Sequence, residues 1–218
     1  MAVSALLEPI IKSAAFPDML SELQTIWEAE QLRRAEFYNW VTPDIKAEFI
    51  EGEIVVHSPV RLRHNSISKR LTALLDFYVI KNNLGFVGIE KIMVRLTRND
   101  YEPDICFFGK AKSEKFTEEQ TLFPAPDFVV EVTSPSTEGR DRGVKYEDYA
   151  RHGVQEYWIV VPNTQTVEQY QLKGDTYELV VQHTKGEITC LAIEGLTLPT
   201  RALFDDEMYA QAITALAK

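Results

Sequence analysis

Cysteine and long apolar runs are both scarce in this sequence. Among the 218 residues there are two cysteines, Cys106 and Cys190, and neither stands in a C-x-x-C pair or another metal-type spacing. We therefore expect two small, buried thiols in a reducing compartment rather than a cysteine-based metal site. No apolar run reaches the roughly 18 residues that a membrane-spanning helix needs, so we expect no membrane partner.

Positive charge is in short supply as well. The chain carries 23 Lys and Arg against 33 Asp and Glu, which gives a formal net charge of −10 and an isoelectric point near 5.0. Such a chain is repelled by nucleic acid at long range, which argues against a non-specific DNA coat protein but leaves room for local basic patches. The N-terminal stretch MAVSALLEPIIKSAAF has an early acid, Glu8, and no basic start, so we expect no signal peptide and a cytoplasmic location.

What the chain does have is enough apolar material for a core. Hydrophobic residues make up 45% of the sequence, and the length suits one sizeable domain. We assign residues 46–218 to that domain and residues 1–45 to an N-terminal helical extension packed on it. The extension is predicted from a stripe of apolar residues at helical spacings, which we expect to cover the domain: Leu20, Leu23, Ile26, Trp27 and Leu32.

The pattern after residue 46 mixes strands and helices. A turn signal at Glu51-Gly52 predicts a hairpin, and NSISKRLTALLDFYVIKN has a helical apolar stripe. Three strand candidates, FVGIEKIMVRLT, PDICFF and DFVVEVTS, precede a helix predicted over Glu138–His152, and EYWIVVP is typical of a central strand. An antiparallel series and a C-terminal helix follow. We expect a mixed α/β fold in which helices flank a central mixed sheet.

Two carboxylates lie within or beside apolar strands that read as buried. Asp104 opens the run PDICFF, and Glu131 lies inside FVVEV. If these strands pair, the two side chains meet at one edge of the sheet, where like charges raise each other's pKa unless a cation compensates. A hard divalent ion prefers carboxylate oxygen and keeps several waters. We therefore predict that Asp104 and Glu131 bind Mg²⁺ or Mn²⁺, which can activate water against a phosphodiester.

Such chemistry also needs a cation or an acid beside the attacking water. Lys145, on the helix after Glu131, is our candidate catalytic group. Its ammonium would polarise the water or stabilise charge at phosphorus, and burial near the metal would lower its pKa and allow proton transfer. Tyr149 and His152 share its helix face, so we expect that face to point into a cleft.

The order of these motifs resembles a known family. The segments PDICFF and PDFVVEV are similar to the PD-(D/E)xK signature of the restriction-endonuclease-like superfamily of nucleases. EFIEGE at 48–53, Ser58-Pro59, His64 at a helix start and EVTSPSTEGRDRGVKYEDYARHGVQEYWIVVP at 131–162 resemble the Uma-two family within it. The resemblance spans about residues 48–162 and depends on several ordered motifs rather than on one dipeptide.

This resemblance implies a restriction-endonuclease-like fold with a metal-dependent nuclease site. It adds Glu48 and His64 to the candidate catalytic residues. The superfamily lysine stands two residues after the second acid, where this chain has Thr133. The Uma-two pattern instead offers a lysine in the next helix, which is Lys145 here. The resemblance does not name a substrate.

The two predicted metal ligands each have a structural alternative. Asp104 alternatively caps a turn after Pro103, which is a common role for Asp. Glu131 alternatively forms the buried half of an ion pair with Arg140 or Arg142, because buried charges are usually paired.

The other site residues have alternatives too. Lys145 follows Asp141 by four residues, the spacing of a solvated ion pair on a helix face. Glu48 alternatively lies on the surface of the hairpin, and His64 is alternatively a polar surface residue. Neither His57 nor His183 has a pattern that indicates a role.

Basic residues cluster in two segments that would flank the predicted site: Arg61, Arg63, Lys69, Arg70, Arg140, Arg142 and Arg151. They would grip backbone phosphates if the two helices border one cleft, and otherwise they form ordinary solvated faces. We predict a metal-dependent endonuclease acting on DNA, and by analogy with such nucleases a homodimer. The alternative, favoured by the net acidity and by Thr133, is an inactive nuclease-fold module that binds protein or nucleic acid.

Overall fold

The computed structural model of the protein describes residues 6–218. In chain order its elements are α1 (Glu8–Ile11), α2 (Phe16–Trp40), β1 (Ala47–Ile50), β2 (Glu53–Val56), α3 (Leu62–Asn82), β3 (Gly85–Ile89), β4 (Met93–Arg95), β5 (Asp100–Tyr101), β6 (Ile105–Gly109), α4 (Lys110–Ser113), β7 (Leu122–Phe123), β8 (Phe128–Val132), α5 (Glu138–Asp141), α6 (Val144–Arg151), β9 (Glu156–Val161), β10 (Thr166–Lys173), β11 (Thr176–His183), β12 (Glu187–Thr189), β13 (Thr197–Pro199), a 3₁₀ turn (Thr200–Leu203) and α7 (Asp206–Leu216).

Most strands belong to two sheets. The larger sheet has the order β11-β10-β9-β8-β6-β3, in which β8 and β9 are parallel and the other neighbours are antiparallel. The smaller sheet has the order β2-β1-β5-β4-β7, and β12 pairs with β13. The predicted class, mixed sheets flanked by helices, is confirmed. The sequence pattern does not reveal the second sheet, because β5 and β7 are two residues long and show no period.

The predicted hairpin is present between β1 and β2. Its two central residues, Glu51 and Gly52, have φ angles of 51° and 86°. Positive φ at both positions defines the type of turn that matches the twist of a two-residue hairpin. The hairpin fixes the register of β1 and so holds Glu48 opposite Val55.

Strand β8 is buried on both faces. Phe128, Val130 and Val132 pack with α3, α7 and the β12–β13 pair, whereas Val129 packs on the opposite face with α6. A strand covered on both sides reads as a continuous apolar run, which explains the segment FVVEV. Glu131 is therefore a charged residue in a fully covered strand, facing the side of α6.

The helix predicted over Glu138–His152 is interrupted. Helix α5 ends at Asp141 and α6 begins at Val144, with Gly143 between them. A Cβ at Gly143 would lie 2.8 Å from the carbonyl oxygen of Gly139, so the chain can turn this closely only where the side chain is absent. Lys145 consequently lies in the first turn of a new helix.

The N-terminal stripe does not cover the domain. Its residues Leu20, Leu23, Ile26, Trp27 and Leu32 are all exposed, so the prediction that they pack on the core is wrong. Helix α2 is attached instead by its C-terminal half, where Glu30, Arg34 and Phe37 are buried. Arg34 donates two hydrogen bonds to Asp100, at 2.6 and 2.8 Å, and Arg98 donates two to Glu30.

No helix within residues 6–218 combines the length and apolar character that crossing a bilayer requires.

Candidate active site

A pocket of about 400 Å³ opens at the carboxyl ends of β8 and β9. It is lined by segments of both main sheets, by the start of α3 and by the loop that leads from β8 to α6. Open sheets place their ligand sites at such strand ends, because loops and helix starts converge there. The pocket contains the two carboxylates singled out in the sequence, Asp104 and Glu131.

Asp104 lies just beyond the point where the β6–β8 ladder ends. The last paired residues are Ile105 and Val130, so Asp104 follows in register beside Glu131. Its Oδ2 accepts a hydrogen bond from the backbone N–H of Val132 at 2.8 Å. This hydrogen bond holds Asp104 against β8, the strand that carries Glu131. Asp104 therefore does not act as a local turn cap, which was its alternative role.

Two further groups contact the Asp104 carboxylate. His64 Nε2 lies 3.1 Å from Oδ2, and Lys46 Nζ lies 3.2 Å from Oδ1. Burial alone would raise the pKa of Asp104, but the hydrogen bond from His64 and the charge of Lys46 outweigh it and hold the pKa below its usual range. Asp104 is therefore ionised at neutral pH.

Glu131 has a different environment. It is 4% exposed, and its Oε1 accepts hydrogen bonds from Lys145 Nζ at 2.9 Å and from the Tyr149 hydroxyl at 3.3 Å. Burial raises the pKa of Glu131 well above its usual value; Lys145 opposes this shift, and the nearby carboxylates of Asp141 and Asp104 add to it. The charged form of Glu131 thus depends on cations close to it.

Lys145 is buried among three acids. Its Nζ lies 2.8 Å from Glu48 Oε1, 2.9 Å from Glu131 Oε1 and 3.9 Å from Asp141 Oδ1, and the residue is 3% exposed. Burial favours the neutral amine, but the three carboxylates outweigh it and raise the pKa of Lys145 well above its usual value. The expectation that burial lowers this pKa is therefore wrong, and the ammonium form of Lys145 is favoured.

Glu48 lies inside the site rather than on the hairpin surface. It is fully buried, and besides Lys145 it accepts hydrogen bonds from the backbone N–H of Glu102 at 2.9 Å. His57 Nε2 lies 2.9 Å from its Oε2. Burial opposes ionisation of Glu48, but Lys145 and His57 outweigh it and lower its pKa to about 2. Glu48 joins the five-stranded sheet to the lysine of α6.

Several of the alternative pairings are absent. Arg142 binds Glu168 through two hydrogen bonds, at 2.6 and 2.9 Å, and is therefore not the partner of Glu131. Arg140 lines the pocket. Lys145 and Asp141 are both buried, so they do not form a solvated pair.

The helix face predicted to point into the cleft does so only in part. Lys145 and Tyr149 both contact Glu131, as expected from their spacing on α6. His152 instead lies 2.8 Å from the hydroxyl of Thr97 and accepts from its backbone N–H, outside the pocket. The helix face therefore contributes Lys145 and Tyr149 to the site, whereas His152 lies outside it.

Four residues of the site were missed in the sequence: Lys46, His57, Glu102 and Asp141. Lys46 and His57 flank the β1–β2 hairpin, and Glu102 precedes Asp104 by two residues. Their placement depends on how the second sheet packs against the first, for which the sequence has no local signal. Asp141 has a signal in its four-residue spacing to Lys145, but that spacing is equally typical of a solvated ion pair.

The predicted basic rim is smaller than expected. Arg61, Arg63 and Arg140 line the pocket. Two of the other arginines bind elsewhere: Arg70 contacts Asp206 and the carbonyl of Leu203, and Arg142 binds Glu168. Arg151 and Lys69 do not line the pocket. Three guanidinium groups thus border an acidic interior, and this border is the part of the surface suited to phosphate groups.

The donor set of the pocket has the chemistry that hard cations prefer. Four buried carboxylates line it together with the ammonium groups of Lys46 and Lys145: Glu102, Asp104, Glu131 and Asp141. A fifth buried carboxylate, Glu48, lies beside the pocket and binds Lys145. Two of their oxygens, Glu102 Oε2 and Asp141 Oδ1, are buried without a hydrogen-bond partner. Orphaned acceptors in a site with more carboxylates than ammonium groups fit a bound cation.

The carboxylates do not form a complete cage. Within residues 6–218, no three or more His, Cys, Asp or Glu side chains converge to hold a metal ion. Mg²⁺ nevertheless binds commonly through one or two carboxylates, with water and substrate phosphates completing its shell. Asp104 and Glu131 are the residues that could hold such an ion from the protein side.

Comparison with known proteins identifies the family. Residues 30–201 match the Uma2 family, which is described as "Putative restriction endonuclease". The chain belongs to this family, as the motifs of its sequence indicated.

Similar proteins include two from Synechocystis sp. The uncharacterized protein slr1290 is 26% identical over 194 residues, covering 88% of this chain and 94% of that protein. The uncharacterized protein sll1609 is 29% identical over 140 residues, covering 63% of this chain and 78% of its own length.

A solved structure shares the fold. It is the crystal structure of an Anabaena variabilis protein described as "a putative nuclease belonging to DUF820", with a TM-score of 0.68 and 20% sequence identity. The similarity covers 80% of this chain and 97% of that chain. The solved structure therefore shows the fold of this chain, and the family match over residues 30–201 shows its membership in the Uma2 family.

Proposed function

We propose that this protein is a Mg²⁺- or Mn²⁺-dependent endonuclease that hydrolyses phosphodiester bonds in DNA. The observation that carries the proposal is the meeting of Asp104 and Glu131 in one pocket, next to the buried ammonium of Lys145. Their neighbours supply excess negative charge, which a divalent cation would balance. Membership in a family of nuclease type supports the same reaction class.

Each residue has a distinct part in this proposal. A divalent ion, when bound, activates water and neutralises charge that develops on the phosphodiester. Asp104 and Glu131 would hold it from two adjacent strands. Lys145 stays protonated and would orient the attacking water or stabilise negative charge at phosphorus, because its position is fixed by Glu48 and Glu131 before substrate arrives.

Histidine and arginine side chains would complete the site. His64 and His57 hold the carboxylates of Asp104 and Glu48 in place, at 3.1 and 2.9 Å. Arg61, Arg63 and Arg140 would grip the phosphates on either side of the scissile bond, since guanidinium groups match phosphate geometry.

The test is cleavage by the purified full-length chain. Duplex, single-stranded and branched DNA are incubated with Mg²⁺, with Mn²⁺ or with a chelator, and Mn²⁺ binding is measured separately by calorimetry. We expect cleavage that depends on the metal and is lost in Asp104→Asn and Glu131→Gln. A protein that cleaves none of these substrates and binds no Mn²⁺ would refute the proposal.

A second function has its own observation in its favour. Thr133 occupies the position of the superfamily lysine, and the chain is acidic overall, which fits an inactive nuclease fold that binds protein or nucleic acid. Mn²⁺ affinity distinguishes the two. A metal affinity that is unchanged in Asp104→Asn, together with absent cleavage, would favour the binding module over the enzyme.

Two further parts of the proposal concern compartment and assembly. We propose a cytoplasmic protein, since Cys106 and Cys190 are both free and buried. We also propose a homodimer, because two active sites are needed to cut two strands. Light scattering on the purified chain measures the assembly, and a single-chain mass would remove this part.

A further inference from the structure

Helix α2 extends well beyond the body of the protein. Its buried residues, Glu30, Arg34 and Phe37, all lie in the C-terminal half. Residues 16–29, which we call the overhang, contain no buried residue and span about 21 Å at the rise of an α-helix. A helical segment of this length without packing is marginal on its own in water, so a contact with another surface would stabilise it.

The overhang carries a single apolar face. Met19, Leu20, Leu23, Ile26 and Trp27 project to one side at helical spacings, and their exposed fractions are 40%, 43%, 55%, 52% and 43%. The same side of the helix continues into the residues that dock α2 on the body. The face is therefore an extension of a packing surface, and the described residues leave it uncovered.

The polar side of the overhang is acidic. Asp18, Glu22 and Glu28 are its charged residues, and no lysine or arginine occurs between Lys12 and Arg33. An acidic helix is repelled by nucleic acid and by anionic lipid surfaces, whereas interfacial helices are usually rich in Lys and Arg. The charge thus argues for a protein partner.

The overhang also precedes the residues that match the family. The match to the family begins at residue 30, which is where α2 first becomes buried against the body. The pocket draws no residue from the overhang. Its role is therefore separate from the nuclease site.

We propose that the overhang is a dimerisation arm that packs antiparallel against the overhang of a second copy. With Leu23 at the two-fold axis, Met19 of one chain faces Trp27 of the other, and Leu20 faces Ile26. The five side chains are thus self-complementary in an isologous contact, and Met packs favourably on an aromatic ring. The antiparallel direction also places the two bodies at opposite ends of the helix pair.

The apolar area fits the central part of a dimer interface. The five residues expose roughly 450 Å² per chain, in the range of apolar patches that mark interaction sites. A standard interface removes about 800 Å² from each partner, of which the central part is apolar and the rim polar. The apolar face would form the centre, and the acidic and polar side chains of the helix would form the rim.

The test uses two leucines of the same helix. Leu23 lies at the centre of the proposed contact, whereas Leu32 is 68% exposed on the other side of α2 and serves as the matched control. In light scattering and sedimentation we expect wild type and Leu32→Glu to be dimers. Leu23→Glu should weaken the dimer at least about 100-fold, because it buries an unpaired charge at the axis.

Two outcomes would overturn the proposal: a wild-type mass of one chain, or equal dissociation of both variants. Circular dichroism shows whether each variant is folded. The arm rests on the homodimer proposed above, so a wild-type mass of one chain removes both. Equal dissociation of the two variants refutes the arm alone, and neither outcome bears on the proposed cleavage of DNA.

A second measurement does not depend on weakening the dimer. Because Cys106 and Cys190 are buried, a cysteine introduced at position 23 is the accessible thiol for a short bismaleimide cross-linker. We expect Leu23→Cys to give a covalent dimer in high yield and Glu28→Cys, on the acidic side, to give little. Equal yields from the two variants would contradict the assigned face.

Discussion

Glu131 and Glu156 are both buried glutamates on adjacent strands of the six-stranded sheet, but their surroundings differ. Glu156 is surrounded by neutral donors: Trp158 Nε1 at 2.6 Å, Gln169 Nε2 at 2.6 Å, the backbone N–H groups of Leu191 and Ala192 at 2.7 Å each, and Cys190 Sγ at 3.1 Å. Glu131 has Lys145 and Tyr149 as its partners, with Asp104, Glu48 and Asp141 close enough to repel it.

The difference separates a structural carboxylate, Glu156, from one that we propose to be functional, Glu131. Fixed N–H donors satisfy Glu156 completely and tie β9 to the loop after β12, so this group stabilises the fold. Glu131 instead borders a pocket and competes with other acids for one lysine. Such an arrangement costs stability, and proteins keep it where a ligand or a reaction makes use of it.

The largest expected effect separates the two glutamates by activity. Glu131→Gln should reduce metal-dependent DNA cleavage by roughly 1,000-fold, since a metal ligand contributes several kcal/mol to the transition state. Its stability should stay near that of wild type, because Lys145 keeps its contact with Glu48. Cleavage rates and thermal melts of Glu131→Gln and Glu156→Gln are compared. Equal losses of activity would break the distinction.

The next effect tests the cation beside Glu131. Lys145→Met leaves three buried carboxylates without their ammonium, and loss of one partner of a buried ion pair costs about 3–5 kcal/mol. We expect a decrease of that size in the free energy of unfolding at neutral pH, measured with urea. Lys69→Met, at an exposed lysine on α3, is the control and should change stability little. An unchanged unfolding midpoint for Lys145→Met would contradict the buried network.

A smaller effect is expected at Glu156. Glu156→Gln places an amide N–H₂ among donors, so it should lower the free energy of unfolding by about 1–3 kcal/mol. Cleavage per folded molecule should remain at the wild-type level, because the pocket has no contribution from Glu156. Denaturant unfolding and an activity assay on the same sample measure both quantities. A stable but inactive variant would reverse the roles assigned to the two glutamates.

The smallest effect concerns pH. Burial raises the pKa of Glu102 to about 7, since Lys46 only partly offsets it and Glu48 adds repulsion. The folded state then holds a proton that the unfolded state releases, so this group lowers stability as pH rises from about 4.5 to about 7.

In metal-free buffer the loss attributable to Glu102 should be about 1–2 kcal/mol after allowance for solvent screening. Glu102→Gln should remove it, which thermal melts across this pH range detect as a flatter curve. Glu118→Gln, at an exposed position, should follow the wild-type curve. Identical slopes for all three proteins would show that Glu102 is not in the strained part of the site.

The sequence predicts the central part of this site because its elements are local and ordered. Asp104 and Glu131 end up adjacent because β6 and β8 pair directly, and Lys145 lies on the helix that follows. The two strands are visible as continuous apolar runs, and the helix with Lys145 follows β8 directly along the chain.

The remaining parts could not be predicted for a physical reason. Lys46, His57 and Glu102 reach the pocket through the five-stranded sheet, whose strands β1 and β5 meet at a single residue pair, Phe49 and Asp100. Such a long-range contact leaves no periodic trace in the sequence. The two glutamates could not be distinguished from the sequence either, because EYWIVV and FVVEV both combine a glutamate with an apolar run. Only the groups around Glu156 and Glu131 in the fold show that one is satisfied by neutral donors and the other borders the pocket.

The hydrogen bond from Val132 to Asp104 has a consequence for any attempt to redesign this protein. Where the main-chain pairing of β6 and β8 stops, the Asp104 side chain takes over the acceptor role for one more residue. The same oxygen therefore closes the sheet and faces the pocket. A substitution of Asp104 would therefore remove a carboxylate from the pocket and, with it, a hydrogen bond at the end of β8. The chemistry of the pocket and the stability of this strand end cannot be changed independently at this position.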